Sequence, residues 1–450
     1  MTWFRWIIPV FAGFACLVGF AKFRRWANPV SVLVLWWCLW LFVANFSPTG
    51  VYVPGPRTQI LVLVMLYSLV LGSLFAVGTL KGDTGSVPEY NRRLRDRWRA
   101  VFWIAVGSMP VVAYYFVKAV GIFLSEGVLG YRGAVFGDMD RPSVLFGSNY
   151  VELVYAIFLS PLIFLVLLAG VVYYLAFRDR RMLGVSLLLT AMDAFMRLGR
   201  FNFYYFLFFL SLSVLLLIQR SRSRDEIGLF FATALRNARG AIVTLVVAMA
   251  IILMVMNAVR TEEAETVTGV LGKFAIEYHT GGFVLFDDSL NHPASELNRH
   301  MSYGRSLLGG LDTLAVLVLR RIDGGLQSIS NVNGPLMREF QVVGYGPDGY
   351  PILQNAFYTV LYTMYQDGRE FAFFVVPFLF GYFLSNRYLD WLRGGDIGTL
   401  MLLNVLLFAG FFSLFMSPVE GVIFWVSLAL LFLINRVRLP VRFVSAGGGA

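Results

Sequence analysis

Residues 151–177 read VELVYAIFLSPLIFLVLLAGVVYYLAF, with a single charged side chain, Glu152, near the start. A bilayer hydrocarbon core about 30 Å thick needs roughly 17–25 apolar residues in a helical span. This run meets that length, and no face of it is polar enough to lie against water. Outward in both directions the pattern repeats, at 5–21, 30–46, 59–80 and 100–121 before it and at 240–259, 369–386, 398–416 and 419–435 after it. Between them, residues 182–218 hold two shorter apolar stretches, 182–196 and 201–218, around the turn Arg197-Leu198-Gly199-Arg200. The fold class expected is an all-α polytopic membrane protein of eleven spans.

Composition agrees. Hydrophobic residues make up 58% of the chain and charged ones 14%, with mean hydropathy +0.70. Soluble domains average about 45–50% apolar and about 25% charged. The net charge of +10 does not point to nucleic acid, because the positive residues sit in short connectors. Lys22, Arg24 and Arg25 lie in one, Lys81 and Arg92 to Arg99 in the next, then Arg178 to Arg181, Arg220 to Arg239, Arg387 with Arg393, and Arg436 to Arg442. Basic connectors mark the cytoplasmic side of a membrane protein. On that rule both flanks of 182–218 are cytoplasmic, so the chain crosses and returns as a short hairpin. The N-terminus is then outside and the C-terminus inside. The first apolar run has no basic segment before it and no small-residue cleavage site after it, and reads as a retained helix. Cys16 and Cys38 fall inside spans without disulfide or metal spacing and read as small apolar residues.

Three units follow: an N-terminal bundle of eight spans over 1–259, a polar exterior segment over 260–370, and three C-terminal spans over 371–450. The polar segment holds all three histidines, His279, His292 and His300. It carries eight basic and thirteen acidic residues, so its formal charge is −5 in a chain that is otherwise basic. A segment this long is usually functional or unstructured. The apolar anchors Phe283, Leu285, Phe286, Leu307 and Leu308 favour a folded one. Within it, Ile352, Leu353, Ala356, Phe357, Val360, Leu361 and Met364 recur on one helical face and predict an amphipathic helix in the membrane interface. Gly368 is placed to end that helix.

Candidate chemistry concentrates here and at the hairpin turn. Arg197 follows Asp193 by four residues, the spacing of a helical ion pair. Arg200 has no such partner, and a forked guanidinium at an exterior interface suits phosphate oxygens. Arg299, His300 and Arg305 form a second cationic group. Glu277, His279, Asp287, Asp288 and His300 are the candidates for a general base, since each can take a proton from a hydroxyl. No H-E-x-x-H, paired C-x-x-C, phosphate-binding Gly-rich loop or G-x-S-x-G is present. Asp138-Met139-Asp140 is the one D-x-D and reads as a turn.

In layout the chain resembles the Wzy-type oligosaccharide repeat-unit polymerases. The likeness rests on the short hairpin with arginine at its outer turn, on the large late exterior loop, and on its exit. There, Asn355-Ala356-Phe357-Tyr358 leads to Tyr365-Gln366-Asp367-Gly368 and a span ending Phe380-Gly381; the phenylalanine that the family carries between Asp and Gly is missing. The resemblance implies an inverting glycosyltransferase of the GT-C type at the outer face of a bacterial inner membrane. Its donor would be a glycan on undecaprenyl pyrophosphate and its acceptor a single lipid-linked repeat unit, with a separate protein controlling chain length. Arg197, Arg200, Arg299 and Arg305 would hold the pyrophosphate, and Tyr278, Tyr303, Asn355, Tyr358, Tyr365 and Asp367 the glycan. Neither metal nor cofactor is required if arginines neutralise the leaving group. An O-antigen ligase shares this chemistry. A lipid-linked-oligosaccharide flippase is the non-enzymatic alternative, disfavoured by the absence of two related halves.

Overall fold

The computed structural model describes residues 3–78, 87–136, 144–177, 179–197, 201–220, 276–334, 339–346, 349–354 and 359–436. Among the described residues the chain is mostly helical with almost no sheet, and five helices are long and apolar enough to cross a membrane: Phe4–Phe23, Pro56–Leu74, Arg97–Gly127, Asn149–Phe177 and Val360–Leu392. Shorter apolar helices accompany them at Pro29–Ala44, Tyr204–Arg220, Ile397–Phe412 and Val422–Asn435. Ten of the eleven expected runs thus coincide with helices, and the run 240–259 lies outside the described residues.

In chain order the first helices are α1 (Phe4–Phe23), α2 (Pro29–Ala44), α3 (Pro56–Leu74) and α4 (Val87–Phe136). A single continuous rod follows, made of α5 (Asn149–Val154), a π-helical turn (Tyr155–Leu159) and α6 (Ser160–Phe177). The short hairpin is α7 (Arg180–Met196) and α8 (Phe201–Arg220). Helix starts are written locally. Proline opens α2 and α3, where its missing N–H costs nothing. Asn28 caps α2 through Ser31 N at 3.0 Å, and Asp179 caps α7 through Arg181 N. The expected span 59–80 ends early, at Leu74, because the chain turns there to meet the later helices: Asn386 accepts from Val77 N and Gly78 N.

The polar segment packs directly onto the bundle. It forms α9 (Tyr278–Asn291), α10 (Glu296–Arg299), α11 (Gly309–Leu319), α12 (Ile329–Asn333) and an antiparallel ribbon of β1 (Gln341–Tyr345) and β2 (Pro351–Gln354). Phe283 and Phe286 of α9 are fully buried, Phe283 edge-on to Trp37 of α2. The long α13 (Val360–Leu392), α14 (Ile397–Phe412), a 3₁₀ turn (Pro418–Glu420) and α15 (Val422–Arg436) are the last elements among the described residues.

The amphipathic helix expected over 352–364 is not formed. Ile352 and Leu353 lie in β2, where Leu353 pairs with Val342. Helix begins only at Val360, after Thr359 caps it through Leu361 N. Residues 360–367 are the first turns of α13, with Leu361, Tyr362, Met364 and Tyr365 buried. The break at Gly368 is real, but it is a kink inside α13 at Gly368–Arg369, with Arg369 at φ 51°, not the end of a separate helix.

Hydrogen bonds gather the basic connectors at one end of the bundle. Lys22 donates to Leu74 O, Arg97 to Ile434 O and Asn435 O, and Arg220 to Gly395 O while lying over the Trp391 ring. At the opposite end Arg5 donates to Asn45 O, Lys118 to Val144 O and Leu145 O, and Thr58 to Asp287.

Candidate functional site

The polar segment builds its assembly at that opposite end, around Asp367. Ser302 Oγ and Ser306 N donate to one carboxylate oxygen and Leu307 N to the other, at 3.0 Å and 2.7 Å for the two backbone groups. Gln366 and Asn333 exchange a reciprocal pair of amide bonds at 2.9 and 3.0 Å, and Ser306 Oγ donates to Gln366 as well. Ser302 N closes the ring on Gln366 O. All of these side chains are buried. The carboxylate therefore organises the Ser302–Leu307 loop, accepting two hydrogen bonds on one oxygen and one on the other.

Beside this network stand two arginines and a tyrosine. The Arg57 guanidinium donates to Tyr365 Oη at 3.0 Å and to Glu370 at 2.5 Å. Arg369 lies over the same Tyr365 ring, 5.0 Å from its centroid, and its fork holds the carbonyls of Leu297, Asn298 and His300. Asp287 reaches the group through Thr58, the residue after Arg57, with a 2.6 Å hydrogen bond. Tyr365, Asp287 and the backbone of the 298–300 loop are thus brought together. Their side chains there differ in access: Asp288 is exposed, and His300 and Arg299 both lean on Glu296 at 3.6 and 3.5 Å with more than half of each side chain in solvent.

Glu420 is the group that sequence reasoning missed. It sits on the 3₁₀ turn between α14 and α15, packed against the start of α11 so closely that a Cβ on Gly309 would stand 3.1 Å from its Cα. Leu307, two residues earlier, is the one bonded to Asp367. Half-buried, and close to a carboxylate whose charge three donors fix in place, Glu420 has its pKa pushed up to about 8, by desolvation first and Asp367 second. The signal was available, since Glu420 is an acid inside the run 419–435, and ionisable residues within apolar spans mark function more often than chance. Arg57 carried a similar signal, an arginine on the side of the chain that the connectors leave acidic.

Other expected residues lie elsewhere. Arg305 is held on Asp312 through two hydrogen bonds, at 2.7 and 3.3 Å, and on Gln327 O through Nε and Nη2, with its side chain about half exposed. Tyr303 points outward at φ 51°, 80% exposed. His279 is enclosed by rings: Trp40 stacks on it at 3.7 Å, with Phe415 at 4.3 Å and Trp36 at 5.4 Å. Glu277 and Tyr278 begin α9, and the Glu277 carbonyl accepts from Gln354 at 2.9 Å.

Arg197 closes α7 at the same end of the bundle. It donates to Asp193 at 3.2 Å and Ser160 Oγ at 2.5 Å and lies over the Tyr155 ring, whose hydroxyl also donates to Asp193. The π-helical turn at Tyr155–Leu159 is what brings Tyr155 and Ser160 to this pair. This is the ion pair that the i, i+4 spacing predicts. Arg200, Asn355, Tyr358 and the Asp138–Asp140 turn lie outside the described residues. Among the described residues no three His, Cys, Asp or Glu side chains are grouped to hold a metal ion. Searches of protein-family models, of curated proteins and of solved structures each found no match to the chain.

Proposed function

We propose that the chain is a lipid-pyrophosphate-dependent glycosyltransferase that polymerises lipid-linked oligosaccharide repeat units at the outer face of a bacterial inner membrane. The reading includes eleven spans, the basic-connector end in the cytoplasm and the polar assembly outside. The observation that carries it is the short α7–α8 hairpin. Its turn opens at Arg197, on the end of the bundle away from the basic connectors, with Arg200 as the residue before α8. Breaking a glycosyl–pyrophosphate bond leaves charge on the departing phosphate, and cations preset at headgroup level stabilise it. Arg197 is held by its partners in one orientation. Arg57 and Arg299, both more than half exposed, stand at the same end. The acceptor hydroxyl needs a base, and Asp287 and Asp288 are carboxyls at that end.

Arg200→Ala is expected to lower polymerisation by about 10²–10³-fold, the usual loss for one charge-stabilising donor. Arg200→Lys is expected to be clearly impaired, because an ammonium keeps charge but loses the bidentate fork. Arg197→Lys should be milder. The assay is extension of a defined lipid-linked repeat by the purified protein, with no lipid A core acceptor present. A ladder of products supports polymerase over ligase, and its absence under all conditions would sink the reading. Full activity of Arg200→Lys would remove Arg200 from the phosphate site.

Sidedness has its own test. Single-cysteine variants at positions 291 and 90, in a background lacking Cys16 and Cys38, should differ in spheroplasts. An impermeant thiol reagent is expected to reach 291 and leave 90 unlabelled; the opposite pattern inverts the topology.

A further inference from the structure

The β1–β2 ribbon has an inner and an outer face of different chemistry. Its inner residues, Val343 and Gln354, are buried, Gln354 lying against Gly281 of α9, where even a Cβ would not fit. Its outer face exposes Phe340, Val342, Tyr345, Tyr350 and Leu353, with Tyr345 and Leu353 each 50% exposed and Tyr350 77%. Tyr52 extends the face, edge-on to Tyr345 at 6.2 Å. Among the described residues of the ribbon the only charged side chain is Glu339, at its entry. An apolar patch of this kind on a water-facing surface is unusual and marks an interaction site.

Its position decides what it meets. The ribbon is stitched to the α2–α3 connector: Val51 bridges Gly344, Tyr52 N donates to Val343 O at 2.8 Å and Tyr345 N to Gly50 O at 3.1 Å. That approach is so close that a Cβ on Gly50 or Gly344 would overlap the opposing backbone. The connector itself starts where α2 leaves the bundle, and α1 begins beside it. Arg5 donates to Asn45 O and lies over Phe46, and Trp6 and Phe46 are exposed at the same level, Trp6 at 76%. The ribbon thus continues laterally a row of exposed aromatics at the end of lipid-facing helices. Aromatic side chains collect at that depth, where ring and polar tip meet the two phases of the interface.

We infer that the outer face of the ribbon, residues 340–345 and 350–354 with Tyr52, lies in the interfacial zone of the bilayer and docks the polar segment onto the lipid surface. Valine, leucine and phenylalanine beside the tyrosines fit acyl and glycerol groups, and among the described residues of this face the one carboxylate, Glu339, lies at its edge. The inference does not depend on the glycosyl-transfer reading.

The test uses the wild-type chain in nanodiscs that contain a phospholipid with a photoactivatable diazirine near the glycerol end of its acyl chain. Lipid adducts are expected on peptides covering 340–345 and 350–354, alongside those on the exposed face of α4. In parallel, nitroxides at Tyr345→Cys and Leu353→Cys, in a Cys16→Ala/Cys38→Ala background, should collide with oxygen more often than with an aqueous nickel chelate, as a nitroxide at Val117→Cys on α4 does. Adducts on α4 and none on the ribbon, or nickel collisions dominating at 345 and 353, would overturn the inference. The latter would leave a water-facing platform for an extended glycan as the better account.

Discussion

Raising the pH from 5 to 9 is expected to destabilise the protein, and Glu420→Gln is expected to remove most of that loss. The carboxyl of Glu420 titrates near 8 when folded, above the ordinary value of 4.5. Between those two values the folded state binds a proton that the unfolded state has released. Stability therefore falls as pH rises across that window and levels off above it. A shift of this size corresponds to a few kcal/mol, about 2–4 after allowing for partial exposure. Glutamine keeps the shape and cannot ionise beside Asp367, so the variant should match wild type at pH 5 and exceed it at pH 9. Unfolding curves in detergent at five pH values would check this, and a parallel slope in both proteins would show that Glu420 is already ionised at neutral pH.

Asp367→Ala is expected to cost about 2–4 kcal/mol, since truncation strands the backbone N–H groups of Ser306 and Leu307, each worth roughly 1–3 kcal/mol when left without a partner, while the Ser302 hydroxyl keeps Ser306 Oγ at 2.9 Å. Asp367→Asn keeps an acceptor for one of them and should lose about half as much. Both losses should appear in unfolding midpoints and in the yield of folded protein in the membrane fraction, before any effect specific to substrate. Normal stability with lost turnover would place Asp367 in the glycan site and show that the Ser302–Leu307 loop is held by Gln366 and Asn333 alone.

Hydropathy placed the helices well because each span is fixed by a local property, the length of chain that lipid can surround. It failed for Ile352 and Leu353 because their apolar spacing fits a helix and a strand equally over so few residues. What decides between them is pairing with Val342 and, through Gly344, with Val51 nearly three hundred residues earlier. The site was legible only in part for the same reason. The i, i+4 pair of Asp193 and Arg197 is local and was readable. The closing of Arg305 onto Asp312 and the convergence of Arg57, Tyr365 and Arg369 depend on how distant segments return to one end. Glu420 was readable from its place inside an apolar run, but the hydropathy of its neighbours hid it within a span.

Helices α3 and α13 meet backbone to backbone. A Cβ on Gly72 would fall 2.0 Å from Phe378 O, one on Gly381 would fall 2.2 Å from Leu69 O, and Ser68 donates to Phe374 O. Ser68 and Phe374 are 306 residues apart in sequence. At synthesis rates of about 5–20 residues per second, α3 emerges from the ribosome roughly 15–60 s before the surface that it fits. Throughout that interval its small-residue groove faces lipid or the insertion machinery, open to the wrong helix. Gly72→Leu would therefore act twice, by blocking the final seam and by changing what the waiting helix can bind. Co-expressing residues 1–220 and 221–450 as separate chains would show whether the late helices can find the early ones after both are in the bilayer.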